Sequence, residues 1–416
     1  MRQSLFTLLF LSLSITSVFA QADYLLKPDA VFDGMSLQKD WVVAVQGNKI
    51  TYAGPEKRIK ANEIIELDGQ TLMPGLIEGH SHILLHPYNE TSWNGQVLKE
   101  SVAERSARAV NHLKASLMAG ITTMRDLGSE GAGYADVGLK QAVEKGVIPG
   151  PRLLVAGKAI VATGSYGPKG FHEGVQVPLG AETADGFDDL IKVTREQIGN
   201  GADFIKVYAD YRWGPAGTAE ATFTVAELKT IVEIAESSGR YVVAHASSKE
   251  GMIRAIEAGV ETIEHGDSGD AELFKFMKEN NVAFCPTLAA GDAITQYRGW
   301  KKGEDPEPER IVNKRASFKA ALDSGVKIVF GGDVGVFPHG ENVRELEMMV
   351  SYGMSTLDVL ISATLGNAVT FHLNDLGQFK EGFLADLIAV EGNLTQNISS
   401  LRNIKMVMKD GVVYKR

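Results

Sequence analysis

Cysteine is almost missing from this 416-residue chain: Cys285 stands alone, so no internal disulfide can form. Its setting, Val282-Ala-Phe-Cys-Pro-Thr-Leu288, is an apolar run in which a thiol reads as a small buried hydrophobe rather than a nucleophile or ligand. A basic surplus is also missing, with 42 Lys and Arg against 52 Asp and Glu and a formal charge of -10. Nucleic acids and anionic membrane surfaces, which select for basic patches, are therefore poor partners. No apolar run is long enough to span a bilayer, which takes about 20 residues. No G-x-G-x-x-G follows the first barrel-type strand, which removes support for dinucleotide binding. Internal repeats and low-complexity tracts do not occur.

What is present begins with an export pattern. Arg2 supplies a short positive region, Leu5 to Ile15 an apolar one, and Val18-Phe-Ala20 a small-residue cleavage site. The sequence predicts a signal peptide over 1–20 and a periplasmic or secreted mature protein that starts near Gln21. Short strands follow, Trp41-Val-Val-Ala-Val45 and Lys49-Ile-Thr-Tyr-Ala53, around a Gly47-Asn48 hairpin turn. The C-terminus has similar strands, Ala385–Val390 and Ile404–Met408. Residues 21–70 and 376–416 are predicted to form one small, sandwich-like β domain from both chain ends.

Between them, from 71 to 375, strand-like and helix-like segments alternate. Eight apolar strand candidates lie at Gly75–Gly79, Thr122–Arg125, Arg152–Ala156, Phe204–Tyr208, Tyr241–Ala244, Glu261–Glu264, Ala283–Cys285 and Lys327–Phe330. Helical spacing fills the gaps at Ser101–Met118 and Gly186–Ile198, and Thr224-Val-Ala-Glu227 is a capping box. Eight such alternations predict an α/β fold, a (β/α)8 TIM-like barrel.

Functional groups in such barrels collect at the C-terminal strand ends. His80 and His82 end the first candidate strand, and a spacing of two puts both on one face. His245 ends the fifth, His265 the sixth, and Asp333 follows the eighth after Gly331-Gly332. Lys206 lies inside the fourth, flanked by Ile205 and Val207. A lone histidine in such a place is usually structural. A matched set at strand ends points to divalent metal, and imidazole with carboxylate suits Zn²⁺. Four histidines and an aspartate exceed the three protein ligands of one catalytic zinc, so two ions are expected. A buried Lys206 has a lowered pKa, and its neutral amine can take up CO₂ to become a bridging carbamate.

Together these residues resemble the amidohydrolase superfamily. The resemblance covers nearly the whole mature chain. It rests on Met73-Pro-Gly-Leu-Ile-Glu-Gly-His-Ser-His82, Lys206, the two later histidines, Gly332-Asp333, Gly366-Asn-Ala368 and Lys380–Leu387. Gly201-Ala-Asp-Phe-Ile-Lys206 and Ile263-Glu-His-Gly266 are similar to its imidazolonepropionase-related branch, which includes prolidase-like and Xaa-Arg-type dipeptidases. The resemblance implies that His80, His82 and Asp333 bind one metal, His245 and His265 the other, and carboxylated Lys206 bridges them. It implies hydrolysis of dipeptides or N-acyl amino acids by a metal-bridging hydroxide, with Asp333 as general base and then acid. Cyclic amides or lactones are the alternative substrates on the same site. A deaminase has little use for Lys206, and a non-catalytic periplasmic binding protein has no need of six converging ligands.

One departure bears on substrate. The dipeptidase branch often carries Gly-Gly-His-Gly after the third strand, where this chain has Thr163-Gly-Ser-Tyr-Gly167 with Tyr166 in the histidine's place. Tyr166, His172, Tyr208, Tyr211, Arg212 and His339 fall in or near predicted strand-end loops and are candidate contacts to a small-molecule substrate. His86, His112 and His372 read as structural or surface residues. The sequence leaves self-association into a homo-oligomer open.

Overall fold

The computed structural model describes residues 21–416, so the leader expected over 1–20 lies outside the described residues. Both ends of the described chain enter one eight-stranded sheet. The strand Ala61–Pro74 is its seam, running parallel to Ala22–Phe32 and antiparallel to Leu387–Glu391. Gly47 and Asn48 make the two-residue link between Trp41–Gln46 and Lys49–Pro55, and Gly47 supplies the positive φ (56°) that such a turn requires. Strand alternation sends Leu26, Val43 and Val45 into one apolar cluster and Leu25, Val42 and Ala44 into another. The sheet also bends back on itself. Ile50 N–H donates to the Phe383 carbonyl and Ala385 N–H to the Asn48 carbonyl, both at 2.9 Å. The pairing thus draws one curled sheet where the sequence suggested a sandwich-like domain.

Parallel strands make up the rest of the framework. Leu76–Ser81, Ile121–Asp126 and Arg152–Val155 pair in sequence. Ile205–Tyr208, Val242–Ala246, Thr262–His265 and Ala283–Cys285 do the same in a second sheet. The eighth candidate, Lys327–Phe330, is not a regular strand. It touches its neighbours through the bridge Phe284–Ile328, and Ser81–Val334 forms another just beyond it. Hydrogen bonds still run to both sides: Val329 N–H to Phe284 (2.9 Å), Gly79 N–H to Phe330 (3.0 Å) and His82 N–H to Val334 (2.8 Å). Between the two bridges Gly331-Gly332 and the left-handed Asp333 (φ 61°) interrupt the extended backbone. From behind, the Asn367 amide donates to the Ile77 and Phe330 carbonyls, both at 2.7 Å, tying first and eighth segments together. The whole is an α/β arrangement consistent with a TIM-like barrel.

Helices cover the outside of these strands. Val102–Met118 starts at Ser101, whose side chain accepts from Glu104 N–H, and Val225–Glu236 starts at a complete capping box of Thr224 and Glu227. Among the described residues no helix is long and apolar enough to cross a membrane.

Candidate metal centre and active site

The parallel strands end at one cavity of about 880 Å³, where His82, His245, His265 and Asp333 reach its wall. His80 and Lys206 sit beneath them, each 1% exposed. The order of imidazoles can be followed ring by ring. Centroids are 5.6 Å apart for His82 and His80, 5.1 Å for His80 and His265, and 4.5 Å for His265 and His245. Ligand atoms of His80, His265 and Asp333 all lie within 4.8 Å of one another, close enough to share an ion.

Hydrogen bonds select which nitrogen each ring offers. His80 Nδ1 meets Glu264 Oε2 at 2.7 Å, which leaves Nε2 facing Asp333 Oδ1 at 3.6 Å. His82 Nδ1 donates to the Gly128 carbonyl at 3.0 Å, leaving Nε2 3.5 Å from the same Asp333 oxygen. His265 Nδ1 is held by Thr287 Oγ1 at 2.8 Å. Fixing one ring nitrogen so that the other points at a common centre is the supporting pattern of metal-binding histidines. Asp333 Oδ1 is buried and has no hydrogen-bond partner. An orphaned buried acceptor costs about 1–3 kcal/mol, which a cation between it and the two Nε2 atoms would offset. The residues present therefore fit divalent metal.

Burial sets the charge states accordingly. It disfavours imidazolium, so His80 is held below the usual histidine range and His245 and His265 well below it. Neutral imidazole is the ligating form. Lys206 alternates with Ile205 and Val207, which join the main apolar core, so its side chain takes the opposite face. Burial lowers its pKa, with Glu264 and Asp333 opposing, and it forms no ion pair among the described residues. The acid-paired lysine that would make this residue structural is not seen.

Backbone strain concentrates at the same end. Of the eight non-glycine residues with positive φ among the described residues, four are here: Glu130 (49°), His265 (77°), Thr287 (49°) and Asp333 (61°). Left-handed backbone persists at such residues only where surrounding contacts over-determine it, and it tends to cluster at functional sites.

Sequence reasoning missed the supporting acids. Glu264 and Arg125 are fully buried and paired at 3.1 Å, and Glu264 also receives the Thr262 hydroxyl. Glu78 accepts His80 N–H (3.1 Å), Gly332 N–H (2.8 Å) and the Asn342 amide (2.8 Å), so it joins the backbones that carry His80 and Asp333. Burial pushes its carboxyl up to about 7. Glu130 collects Trp93 Nε1–H at 2.8 Å and the hydroxyls of Tyr166 and Tyr208 at 2.6 and 3.4 Å. A signal did exist: Arg125, Glu264 and Glu78 are charges inside apolar strands, and buried charges need partners.

The substrate-contact candidates divide. Tyr166, Tyr208, Tyr211 and Arg212 line the cavity. His172 does not; its side chain is 74% exposed on the segment that follows. His339 does not either. It is stacked on His112 at 4.3 Å, with Nε2 turned to the Leu85 carbonyl at 3.2 Å. Cys285 is fully buried, as the sequence suggested, and burial pushes its thiol up.

The amidohydrolase family model matches residues 71–414, most of the chain. The chain belongs to the amidohydrolase family. Membership makes it a hydrolase of a family that acts on C–N bonds and generally uses divalent metals. Ochratoxinase of Aspergillus niger is 29% identical over 83% of this amidohydrolase and 75% of the relative. Imidazolonepropionase of Streptomyces coelicolor is 22% identical, covering 86% and 87%. Among solved structures, a Xaa-Pro dipeptidase with methionine bound in its active site superposes with a TM-score of 0.83 at 31% identity, covering 94% of this chain and all of the other. The structure of the A. niger ochratoxinase gives 0.80 at 26% identity, covering 95% and 96%.

Proposed function

We propose that this amidohydrolase cleaves an amide bond in dipeptides or N-acyl amino acids at a binuclear metal site, on a catalytic barrel of residues 71–375 carrying a small β domain from 21–70 and 376–416. The observation that carries the reading is the meeting of three histidines and the unpartnered Asp333 oxygen at one cavity, with His80 and Lys206 buried next to them. His80, His82 and Asp333 would hold one ion, His245 and His265 the other, with carboxylated Lys206 between them. Divalent ions held there would polarise the scissile carbonyl and supply a water acidic enough to react near neutral pH. The names of the relatives support the substrate class: one solved neighbour is a Xaa-Pro dipeptidase, and one curated relative is an ochratoxinase.

The chain's own residues divide the remaining work. The Asp333 carboxylate takes a proton from the attacking water and returns it to the leaving nitrogen. Glu264 and Thr287 keep His80 and His265 in a single orientation, so little reorganisation accompanies the reaction. Tyr166, Tyr208 and Tyr211, with ring centroids 4.6 to 5.8 Å apart, form a firm wall against which the acyl portion packs. Export by a leader over 1–20 fits the scavenging of short peptides outside the cytoplasm. The test is a screen of dipeptides, acyl amino acids, lactones and cyclic ureides together with elemental analysis. Amide turnover by protein holding close to two ions per chain is expected. Activity confined to lactones or ring substrates would remove the peptidase reading.

A further inference from the structure

Charges of both signs line the cavity, and the difference bears on how a substrate is recognised. Glu130 has gathered the donors of Trp93, Tyr166 and Tyr208. Those donors are spent, and the carboxylate behind them repels another anion. Tyr166 in particular turns its hydroxyl to Glu130 at 2.6 Å. It cannot offer that proton to a substrate carboxylate, although it occupies the position where the dipeptidase branch often has a histidine.

Arg298 and Arg310 also line the cavity, while Arg212 stands at the rim beside Tyr211, its charge 5.7 Å from that ring's centroid. None of these three guanidinium groups is paired with a carboxylate within 4.0 Å among the described residues. The nearby acids are already engaged. Asp267 pairs with Lys314 at 2.6 Å, and Asp292 pairs with Lys302 at 2.9 Å and with Arg344. Arg310 lies within electrostatic reach of Asp267 foremost, and also of Arg212 and Arg298. Its guanidinium passes close over Gly291, where an added Cβ would sit 3.8 Å from Nε. Arg298 and Arg310 are exposed at the mouth and Asp267 is taken up by Lys314, so a substrate anion would meet two guanidinium groups that have no close carboxylate of their own. A guanidinium offers two parallel N–H donors that match a carboxylate.

We propose that Arg310, assisted by Arg298, binds the free carboxylate of the substrate, so that the amino-acid half lies toward these arginines and the acyl half against the tyrosine wall. The assignment rests on the amide-hydrolase reading and adds the residues that select for a carboxylate. It makes an N-acyl amino acid a far better substrate than its carboxamide.

The experiment compares N-benzoylglycine with N-benzoylglycinamide, in the metal-loaded enzyme and in Arg310→Gln. The acid should be preferred in kcat/KM by roughly 10- to 100-fold, the worth of a charge-assisted hydrogen-bonded pair. Arg310→Gln should lose that preference through KM for the acid and leave the carboxamide little changed. Arg298→Gln should give a smaller loss of the same kind, and Arg310→Lys should recover part of the preference. Binding is measured separately by calorimetry with 3-benzoylpropionate, which replaces the amide nitrogen with carbon and cannot be cleaved. Its affinity should fall in Arg310→Gln by the same factor, while that of 3-benzoylpropanamide should not change. Binding that depends on Arg310 without any amide turnover would uphold the carboxylate site and sink the amide-hydrolase reading. The proposal itself fails if Arg310→Gln weakens acid and carboxamide equally, if Tyr166→Phe is what removes the preference, or if 3-benzoylpropionate does not bind at millimolar concentration.

Discussion

Glu264→Gln is the substitution whose consequences the structure specifies most fully. The side chain keeps its shape and loses its charge. Glu264 and Arg125 are each 0% exposed, so the change leaves a guanidinium buried without its counter-ion. Arg125 has little else to turn to. Its Nε donates to the Gly79 carbonyl at 2.7 Å, its charge lies 3.8 Å from the Phe371 ring centroid, and Nη1 has no hydrogen-bond partner. Breaking one side of a buried pair costs about 3–5 kcal/mol, a large share of the roughly 5–15 kcal/mol that keeps a domain folded. Urea unfolding of chelated protein measures this without metal. The double variant Arg125→Met, Glu264→Gln should be more stable than Glu264→Gln alone, because the stranded charge is gone.

The same substitution has a pH signature and a metal signature. Burial alone would raise the Glu264 pKa, but Arg125 and the bond from His80 outweigh it and hold the carboxyl below 4.5. A depressed folded-state pKa means stability that is present above the unfolded value and lost as pH falls through the folded one. The wild-type chain should therefore lose stability on acidification below about pH 4.5 more steeply than Glu264→Gln. Metal affinity should drop roughly 10- to 100-fold, the usual effect of removing the group that orients a ligating histidine. A stability loss under about 1 kcal/mol, or a double variant that costs the sum of its singles, would refute the account of the pair.

Lys206→Ala should lose much of the second ion and most activity, short carboxylic acids should restore part of it, and Lys206→Arg should not; intact mass is expected to show added CO₂ on wild-type Lys206. Asp333→Asn should lower turnover by roughly 10²–10⁴-fold with a smaller loss of metal, measured by steady-state kinetics and elemental analysis. Glu345 is pushed up to about 8 by burial, against the pull of the Leu288 and Ala289 N–H groups it accepts. A raised folded-state pKa holds the proton on folding, so its contribution is complete below 4.5 and is lost as pH rises through 8. Unfolding curves between those limits should show a wild-type decline that flattens in Glu345→Gln by up to about 1.4 kcal/mol per pH unit.

The fold was readable wherever periodicity was strong. Seven of the eight strand candidates are parallel strands, each within a few residues of its expected bounds. The eighth pairs through an isolated bridge and single hydrogen bonds, which apolar composition does not distinguish from a regular ladder. His172 and His339 were candidates because they lie near strand ends along the chain. One points to solvent, and the other is caged by His112 and the Leu85 carbonyl. Proximity in sequence could not separate them from Tyr166, Tyr208, Tyr211 and Arg212.

By itself the sequence determined the alternation of elements and the positions of the ligand-type residues, because both depend on local spacing along the strand. Only the tertiary structure decided what supports and faces those residues. Glu264 reaches His80 across 184 positions, Glu78 reaches Asn342 across 264, and Glu130 accepts the Tyr166 hydroxyl across 36. Such pairings follow from which strand ends meet in space, and side-chain hydrogen bonds between distant segments leave no periodic trace in the chain that makes them.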